Sequence, residues 1–223
     1  MLQRQHFATL TCLDMHSGEN NGEDIIVMLH GYGSNEKDLI QLTPYLGSNL
    51  HAISARAPLQ LDMEMYAWFP IEFTPEGITV DYPAAREASN RLNAFLHAII
   101  DHYQPKHSRV WLMGFSQGAV MSYLTALFEP SILNGVIALS GQFPEAEAGA
   151  MPQSPLLRDL PFLVVHGEYD DVLPVMNGRR SRQWLSKQVN DLSYMEYPMG
   201  HEINSQELNL IGRWLDEQRS KKQ

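Results

Sequence analysis

The 223-residue sequence has one cysteine, Cys12, and only 16 Lys and Arg residues against 26 Asp and Glu, a formal net charge of −10 at pH 7. A single cysteine excludes an internal disulfide framework and a four-cysteine zinc site. The scarcity of cations argues against a nucleic-acid binder, because phosphate recognition needs clustered Lys and Arg. No apolar run approaches the roughly 18 residues of a membrane helix, and the N-terminus lacks the apolar region of a signal peptide. We therefore expect a soluble, cytoplasmic protein without stable membrane insertion.

Hydrophobic residues make up 44% of the chain, which is enough for a sizeable core and excludes disorder over most of its length. Short β-rich runs alternate with longer helical patterns, which predicts an α/β fold with a mostly parallel sheet covered on both faces. The predicted strands cover 25–29, 51–54, 110–113, 136–139, 162–165 and 192–197, with an antiparallel edge strand ending near residue 13. The predicted helices cover 84–103, 117–128, 174–189 and 206–218. No linker divides the chain, so we expect one domain over 1–223.

Two segments fit neither pattern. Residues 59–82 are rich in aromatic side chains, and residues 142–160 are rich in Pro, Glu and Ala. Both are expected to pass over the carboxyl end of the sheet, and whether 142–160 acts as a lid is left open. An aromatic excursion of this kind can wall a substrate site, or it can form a satellite core under a long loop. The first alternative assigns Trp68 and Phe69 to substrate binding, together with Met63, Met65, Ile71 and Phe73.

The strongest local motif is Gly114-Phe115-Ser116-Gln117-Gly118, a G-x-S-x-G sequence between an apolar strand and a helix. The turn after the strand is so sharp that side chains two residues either side of the serine would collide. Glycines remove those collisions and leave the hydroxyl exposed. The setting therefore predicts Ser116 as a nucleophile, and an ordinary helix-capping serine is the alternative.

A serine hydroxyl needs a base, and the base needs an orienting carboxylate, in the chain order Ser, acid, His for this architecture. Of nine histidines, only His166 and His201 follow Ser116. His166 ends a predicted strand and is expected to be a packed histidine. His201 lies on a loop after the last strand, at the sheet edge where sites form in open α/β folds, and is the better base. The orienting acid is one of the cluster Glu168, Asp170 and Asp171, which follows the strand at 162–165.

Two backbone N–H groups must also be available for the oxyanion of a tetrahedral intermediate. Gln117, the residue after the nucleophile, supplies one. The loop His30-Gly31-Tyr32-Gly33 after the first central strand is suited to supply the other, and we assign it to Tyr32. As a nucleotide site this loop lacks the third glycine of the dinucleotide fingerprint, and the chain has no phosphate-loop Gly-Lys-Ser/Thr.

Taken together these residues resemble the phospholipase/carboxylesterase family of α/β-hydrolases, which includes acyl-protein thioesterases. The matching pieces, in family order from about residue 25 onward, are 29–33, Trp68-Phe69, 114–118, 139–141, 166–170 with 172–174, and Gly200-His201. The resemblance implies the α/β-hydrolase fold and a triad of Ser116, Asp170 and His201, with the Tyr32 and Gln117 amides as oxyanion hole. It thereby selects Asp170 from the acidic cluster.

The resemblance also implies hydrolysis of a small-molecule ester or thioester through an acyl-enzyme, without metal or cofactor. Family members are often monomers or dimers, so a homodimer is compatible with it. Three other functions stay open: a serine peptidase, a lactone-type hydrolase on the same fold, and a non-catalytic binding protein on a hydrolase scaffold.

Overall fold

The computed structural model describes residues 2–15, 24–47, 50–74, 77–105, 109–150 and 154–221. Its strands are β1 Leu2–Phe7, β2 Leu10–Met15, β3 Asp24–Leu29, β4 Leu50–Ala55, β5 Leu59–Asp62, β6 Met65–Ala67, β7 Ile71–Thr74, β8 Gly77–Val80, β9 Val110–Phe115, β10 Leu133–Leu139, β11 Phe162–Gly167 and β12 Leu192–Tyr197. Its α-helices are α1 Tyr82–Tyr103, α2 Gln117–Phe128, α3 Glu145–Gly149, α4 Met176–Leu185 and α5 Ser205–Lys221. Short 3₁₀ helices cover Leu39–Tyr45, Pro130–Ile132 and Pro155–Asp159.

Within the described ranges, eight strands form one sheet in the order β1-β2-β4-β3-β9-β10-β11-β12. The β1–β2 and β2–β4 pairs are antiparallel, and every other neighbouring pair is parallel. This confirms the predicted α/β-hydrolase fold. The predicted N-terminal edge strand is a hairpin of two strands, because the chain reverses at Ala8, which has a positive φ of 49°.

Alternating side chains of the central strands enter two separate cores. Ile25, Val27 and Leu29 pack on one face with residues of α1, α2 and α4. Ile26 and Met28 pack on the other face with α5 and the 3₁₀ helix Leu39–Tyr45. Burial on both faces explains why the parallel strands show continuous apolar runs rather than an alternating pattern.

The register of the parallel strands brings their carboxyl ends level. Leu29 pairs with Gly114, and Leu139 pairs with both Phe115 and Val165. The segments that follow β3, β9, β10 and β11 therefore emerge along one edge of the sheet, where the predicted site residues lie.

The two irregular segments take specific forms. Residues 59–74 and 77–80 contain two antiparallel strand pairs, β5–β6 and β7–β8. The segment at 142–160 contains α3, whose Glu147 accepts a hydrogen bond from Arg86 of α1, and then the 3₁₀ helix Pro155–Asp159; its residues 151–153 lie outside the described part. None of the helices in the described residues is both long and apolar enough to cross a bilayer.

Candidate active site

Ser116 lies in a strained turn between β9 and α2. Its φ of 55° and ψ of −115° are unfavourable for a residue with a side chain, and its N–H donates to the carbonyl of Leu139 over 2.8 Å. A Cβ atom at Gly114 would lie 2.1 Å from the Gly118 oxygen, and one at Gly118 would lie 2.0 Å from the Leu29 oxygen. Both flanking glycines are thus required by close backbone approach, as the motif predicts.

Ser116, His201 and Asp170 come together although up to 85 residues separate them in sequence. Ser116 Oγ lies 2.9 Å from Nε2 of His201, and His201 Nδ1 lies 2.7 Å from Oδ2 of Asp170. In the neutral imidazole, the Nδ1–H group of His201 donates to the Asp170 carboxylate. This tautomer leaves Nε2 without a hydrogen and facing the hydroxyl of Ser116, from which it can accept. The three side chains therefore form a hydrogen-bonded chain from carboxylate to hydroxyl.

Backbone amides and a second histidine hold the Asp170 carboxylate. Its Oδ1 accepts from the N–H groups of Val172 (3.0 Å) and Leu173 (2.7 Å). Burial favours the neutral acid, but hydrogen bonds from His166, His201 and the Leu173 amide together outweigh it and hold the pKa of Asp170 well below its usual range. Asp170 is therefore a carboxylate at neutral pH.

His166 is fully buried at the end of β11, as expected of a packed strand-end histidine. Its Nε2 lies 2.7 Å from the Leu173 carbonyl, to which it donates, and 3.4 Å from Oδ2 of Asp170. It thus joins both ends of the turn that carries Asp170. In the sequence, His166 stands four residues before Asp170, and this spacing alone does not show that the two side chains are in contact.

The predicted oxyanion-hole residues line one cavity with the predicted nucleophile. Tyr32 and Gln117 border a cavity of about 230 Å³ together with Ser116 and His201. Gln117 is the first residue of α2, so its N–H has no acceptor within the helix. Gly31 lets the loop approach closely, because a Cβ there would lie 3.3 Å from Cβ of Ser116.

Buried hydrogen bonds fix the loop that carries Tyr32. His30 Nδ1 lies 2.7 Å from the Gly31 carbonyl, and its Nε2 accepts from the Ala57 N–H over 3.1 Å. Burial lowers the pKa of His30, so the neutral imidazole that can both donate and accept is favoured. The Trp68 indole N–H donates to the His30 carbonyl over 3.0 Å.

A carboxylate and a guanidinium anchor the far end of the same loop. Glu36 is fully buried, and its two oxygens accept from Nη2 and Nε of Arg56 over 2.5 and 2.6 Å. Arg56 in turn lies 4.5 Å from the ring centroid of Tyr66, whose carbonyl accepts from the Gly33 N–H. Nothing in the local sequence around Glu36 indicates this pairing, because Arg56 follows β4 and the second partner, Arg4 at 3.4 Å, belongs to β1.

The side chain of Gln117 has a structural role in addition to the role predicted for its backbone N–H. Its Oε1 accepts from the Trp68 N–H over 2.8 Å, and its Nε2 donates to the Phe69 carbonyl over 2.7 Å. The side chain next to Ser116 therefore holds the backbone of Trp68 and Phe69 in place.

The cavity wall is largely apolar and only partly the one predicted. Phe69 and Ile71 line it, whereas Trp68, Met63 and Met65 are not among its lining residues in the described part of the chain. The lining residues are Gly31, Tyr32, Ser34, Asp38, Phe69, Ile71, Ile78, Val80, Phe115, Ser116, Gln117, Val120, Gln142, Val172, Leu173 and His201.

The placement of Trp68 in the wall is accordingly corrected. Its hydrogen bond draws the buried indole toward His30. The indole thus supports residues 30–38, the loop that carries the predicted oxyanion-hole residue Tyr32 and is called the oxyanion loop below. Met63 is 83% exposed at the β5–β6 turn, and the side chain of Phe73 lies outside the described residues. In the same described part, no group of three His, Cys, Asp or Glu side chains is arranged for a metal ion.

Comparison with known proteins identifies the family of this chain. The model of the Phospholipase/Carboxylesterase family matches residues 10–218. The chain belongs to this family. It is therefore a hydrolase of the esterase and thioesterase type, as the sequence motifs predict.

Individual relatives are distant from this chain in sequence, and the solved ones are close to it in fold. It is 26% identical to acyl-protein thioesterase 1 of Yarrowia lipolytica over 163 residues, 71% of each chain. A solved structure of esterase PE8 is 27% identical, with a TM-score of 0.77 over 92% of this chain and 96% of that one. The Bacillus cereus carboxylesterase is 20% identical and has a TM-score of 0.78 over 95% of each chain.

Proposed function

We propose that this hydrolase cleaves carboxylic esters or thioesters through an acyl-enzyme on Ser116. The observation that carries the proposal is the hydrogen-bonded chain from Asp170 through His201 to Ser116, at 2.7 and 2.9 Å. These distances meet the requirement that a nucleophile, its base and the orienting group be within hydrogen-bond reach before reaction.

In the first half-reaction, Ser116 Oγ attacks the substrate carbonyl carbon while its proton passes to His201 Nε2. The new C–O bond places the negative charge on the former carbonyl oxygen, which the amides of Tyr32 and Gln117 stabilise. Collapse of this intermediate breaks the bond to the leaving alcohol or thiol. His201 gives its proton to that leaving group, and the acyl group remains on Ser116.

In the second half-reaction, water replaces the alcohol or thiol. His201 accepts a proton from the water, whose oxygen attacks the acyl carbon. Collapse then breaks the bond to Ser116 Oγ, which regains its proton, and the carboxylic acid leaves. In both halves Asp170 keeps the imidazole in the required tautomer and stabilises its cationic form.

The acyl group of the substrate is expected against the apolar part of the cavity. Phe69, Ile71, Val80 and Val120 lie there within reach of a group bound at Ser116. Such a wall suits the acyl chain of an ester or thioester, because burial of apolar surface is favourable and non-directional.

The test is a panel of p-nitrophenyl esters, acyl thioesters, lactones and peptides, assayed with the wild type and Ser116→Ala. We expect ester and thioester turnover, with kcat reduced on the order of 10⁶-fold in the variant. Activity within tenfold of wild type would overturn the role of Ser116. Cleavage confined to peptides or to lactones would favour those alternatives, and saturable binding without turnover would favour a binding protein.

A further inference from the structure

Among the described residues that line the cavity at Ser116, one side chain besides His201 can carry a formal charge. That side chain is Asp38, and within the described residues neither Lys nor Arg lines the cavity. A substrate bound at Ser116 therefore meets a largely apolar wall and one carboxylate, and no Lys or Arg of the described lining offsets that negative charge.

Asp38 is held in position without being neutralised. It precedes the 3₁₀ helix Leu39–Tyr45, yet its side chain makes no capping hydrogen bond to that helix. Instead Oδ2 accepts from the hydroxyl of Ser34, another lining residue, over 2.8 Å. Two polar groups of the oxyanion loop thus face the cavity together.

The nearest cations in the sequence are engaged by other carboxylates. Lys37 Nζ forms its ion pair with Glu64, and Arg56 binds Glu36 through two hydrogen bonds. Asp38 has no ion-pair partner among the residues described, so its charge acts on whatever occupies the cavity.

We propose that Asp38 determines specificity by favouring esters or thioesters whose leaving group carries a positive charge, such as a quaternary ammonium. This inference rests on the proposed function and names its substrate class. Asp38 is exposed and so lies at the opening of the cavity, near the exposed Tyr32. The apolar interior takes the acyl chain, and the leaving group must pass this opening.

The expected effect is moderate because the carboxylate contacts solvent. A single solvent-exposed charge at the opening of the cavity changes kcat/KM by about three- to tenfold, and added salt reduces the effect. An anionic leaving group should be disfavoured by a similar factor.

The experiment uses three thioesters of butyric acid with the full-length enzyme. Butyrylthiocholine carries a cation, its S-(3,3-dimethylbutyl) analogue is the neutral isostere, and the thioester of 3-mercaptopropanoate carries an anion. Thiol release is followed with a disulfide reagent, and the one cysteine, Cys12, is fully buried with a pKa that burial raises to about 12. The measured quantity is kcat/KM for the charged compounds relative to the neutral one.

Three variants isolate the charge. Asp38→Asn keeps an oxygen that can accept from Ser34 but removes the charge, and Asp38→Glu keeps the charge. Asp171→Asn removes an exposed carboxylate that follows Asp170 but does not line the cavity among the described residues. Asp171→Asn should hydrolyse the neutral thioester within about threefold of wild type. Each Asp38 variant is judged by the ratio of charged to neutral substrate, in which a general change in turnover cancels.

We expect Asp38→Asn to lower the cation-to-neutral ratio and to raise the anion-to-neutral ratio, each about three- to tenfold. Asp38→Glu should retain most of the preference, and Asp171→Asn should change the ratios less than twofold. Unchanged ratios in Asp38→Asn, with neutral turnover that depends on Ser116, would overturn the inference and leave the proposed function standing. If none of the three thioesters shows turnover that depends on Ser116, the proposed function is overturned, and this inference with it.

Discussion

At the residue scale, two adjacent carboxylates have different surroundings. Asp170 is 5% exposed and bound to His201, whereas Asp171 is exposed to solvent. Asp170→Asn should reduce kcat about 10⁴-fold with the fold intact, because the imidazole loses its tautomer and the stabilisation of its charge. Asp171→Asn should cost less than about tenfold, as the loss of an exposed charge usually does. Steady-state ester kinetics of both variants check this, and the reverse order would make Asp171 the orienting acid.

Trp68 tests whether the oxyanion loop depends on a hydrogen bond to its first residue. Trp68→Phe removes the indole donor and leaves the buried carbonyl of His30 without it. Such a loss costs about 1 kcal/mol, so we expect kcat to fall about three- to tenfold and equally for acetyl and octanoyl esters. A loss at least tenfold greater for the octanoyl ester would show that Trp68 contacts the acyl chain after all.

Local sequence carries the information for some site residues and not for others. Ser116 could be predicted because the two glycines that the turn requires lie two residues before and after it. His201 could be predicted because only two histidines follow Ser116 in the sequence. The contacts of His166 with Asp170, and of the Gln117 side chain with Trp68 and Phe69, depend on how distant loops meet. Neither set of contacts could be inferred from the spacing of these residues in a single sequence.

At the scale of elements, the β7–β8 hairpin contributes alternate residues to the cavity. Ile78 and Val80 line it, and Thr79 between them is exposed. Val80→Phe should therefore narrow the acyl site and lower kcat/KM for octanoyl esters at least tenfold more than for acetyl esters. A chain-length series of p-nitrophenyl esters measures this preference.

The matched control for that series is Thr79→Phe, which adds the same ring on the opposite face of the hairpin. It should leave the chain-length preference within about twofold of wild type. If both variants shift the preference equally, the hairpin acts through its stability and not as a wall.

Elements with two buried faces were the easiest to predict. The parallel strands β3, β9, β10 and β11 appear as unbroken apolar runs, and their predicted positions agree with the structure to within a few residues. The hairpins β5–β6 and β7–β8 were not predicted, because strands of only three or four residues carry too little periodicity. Helix α4 ends at Leu185, earlier than the predicted 189, since the chain continues in turns that pack Val189 into the core.

At the scale of the whole molecule, one buried acid limits stability at alkaline pH. Glu207 in α5 is fully buried, and neither carboxylate oxygen has a hydrogen-bond partner among the described residues. Burial raises the pKa of Glu207 to about 8. The unfolded chain loses this proton near pH 4.5, so stability falls as the pH rises from about 4.5 to 8 and the full cost remains above 8.

Glu207→Gln removes this titration, so the variant should be more stable than wild type at pH 8–9 and equal to it near pH 4.5. A gain of one kcal/mol corresponds to a Tm increase of about 2–4 °C for a chain of this size. Thermal unfolding across this pH range checks it, with Glu217→Gln, an exposed position on the same helix, as control. A Tm difference that does not change with pH would show that Glu207 is ionised in the folded state.

The proposed mechanism requires a covalent acyl-enzyme at Ser116. The most direct measurement is acid quenching during turnover of a p-nitrophenyl ester, followed by mass spectrometry of the proteolytic peptides. The wild type should carry the mass of the acyl group on Ser116, and Ser116→Ala should carry none. Acylation of a different residue, or turnover at the wild-type rate by Ser116→Ala, would contradict the account.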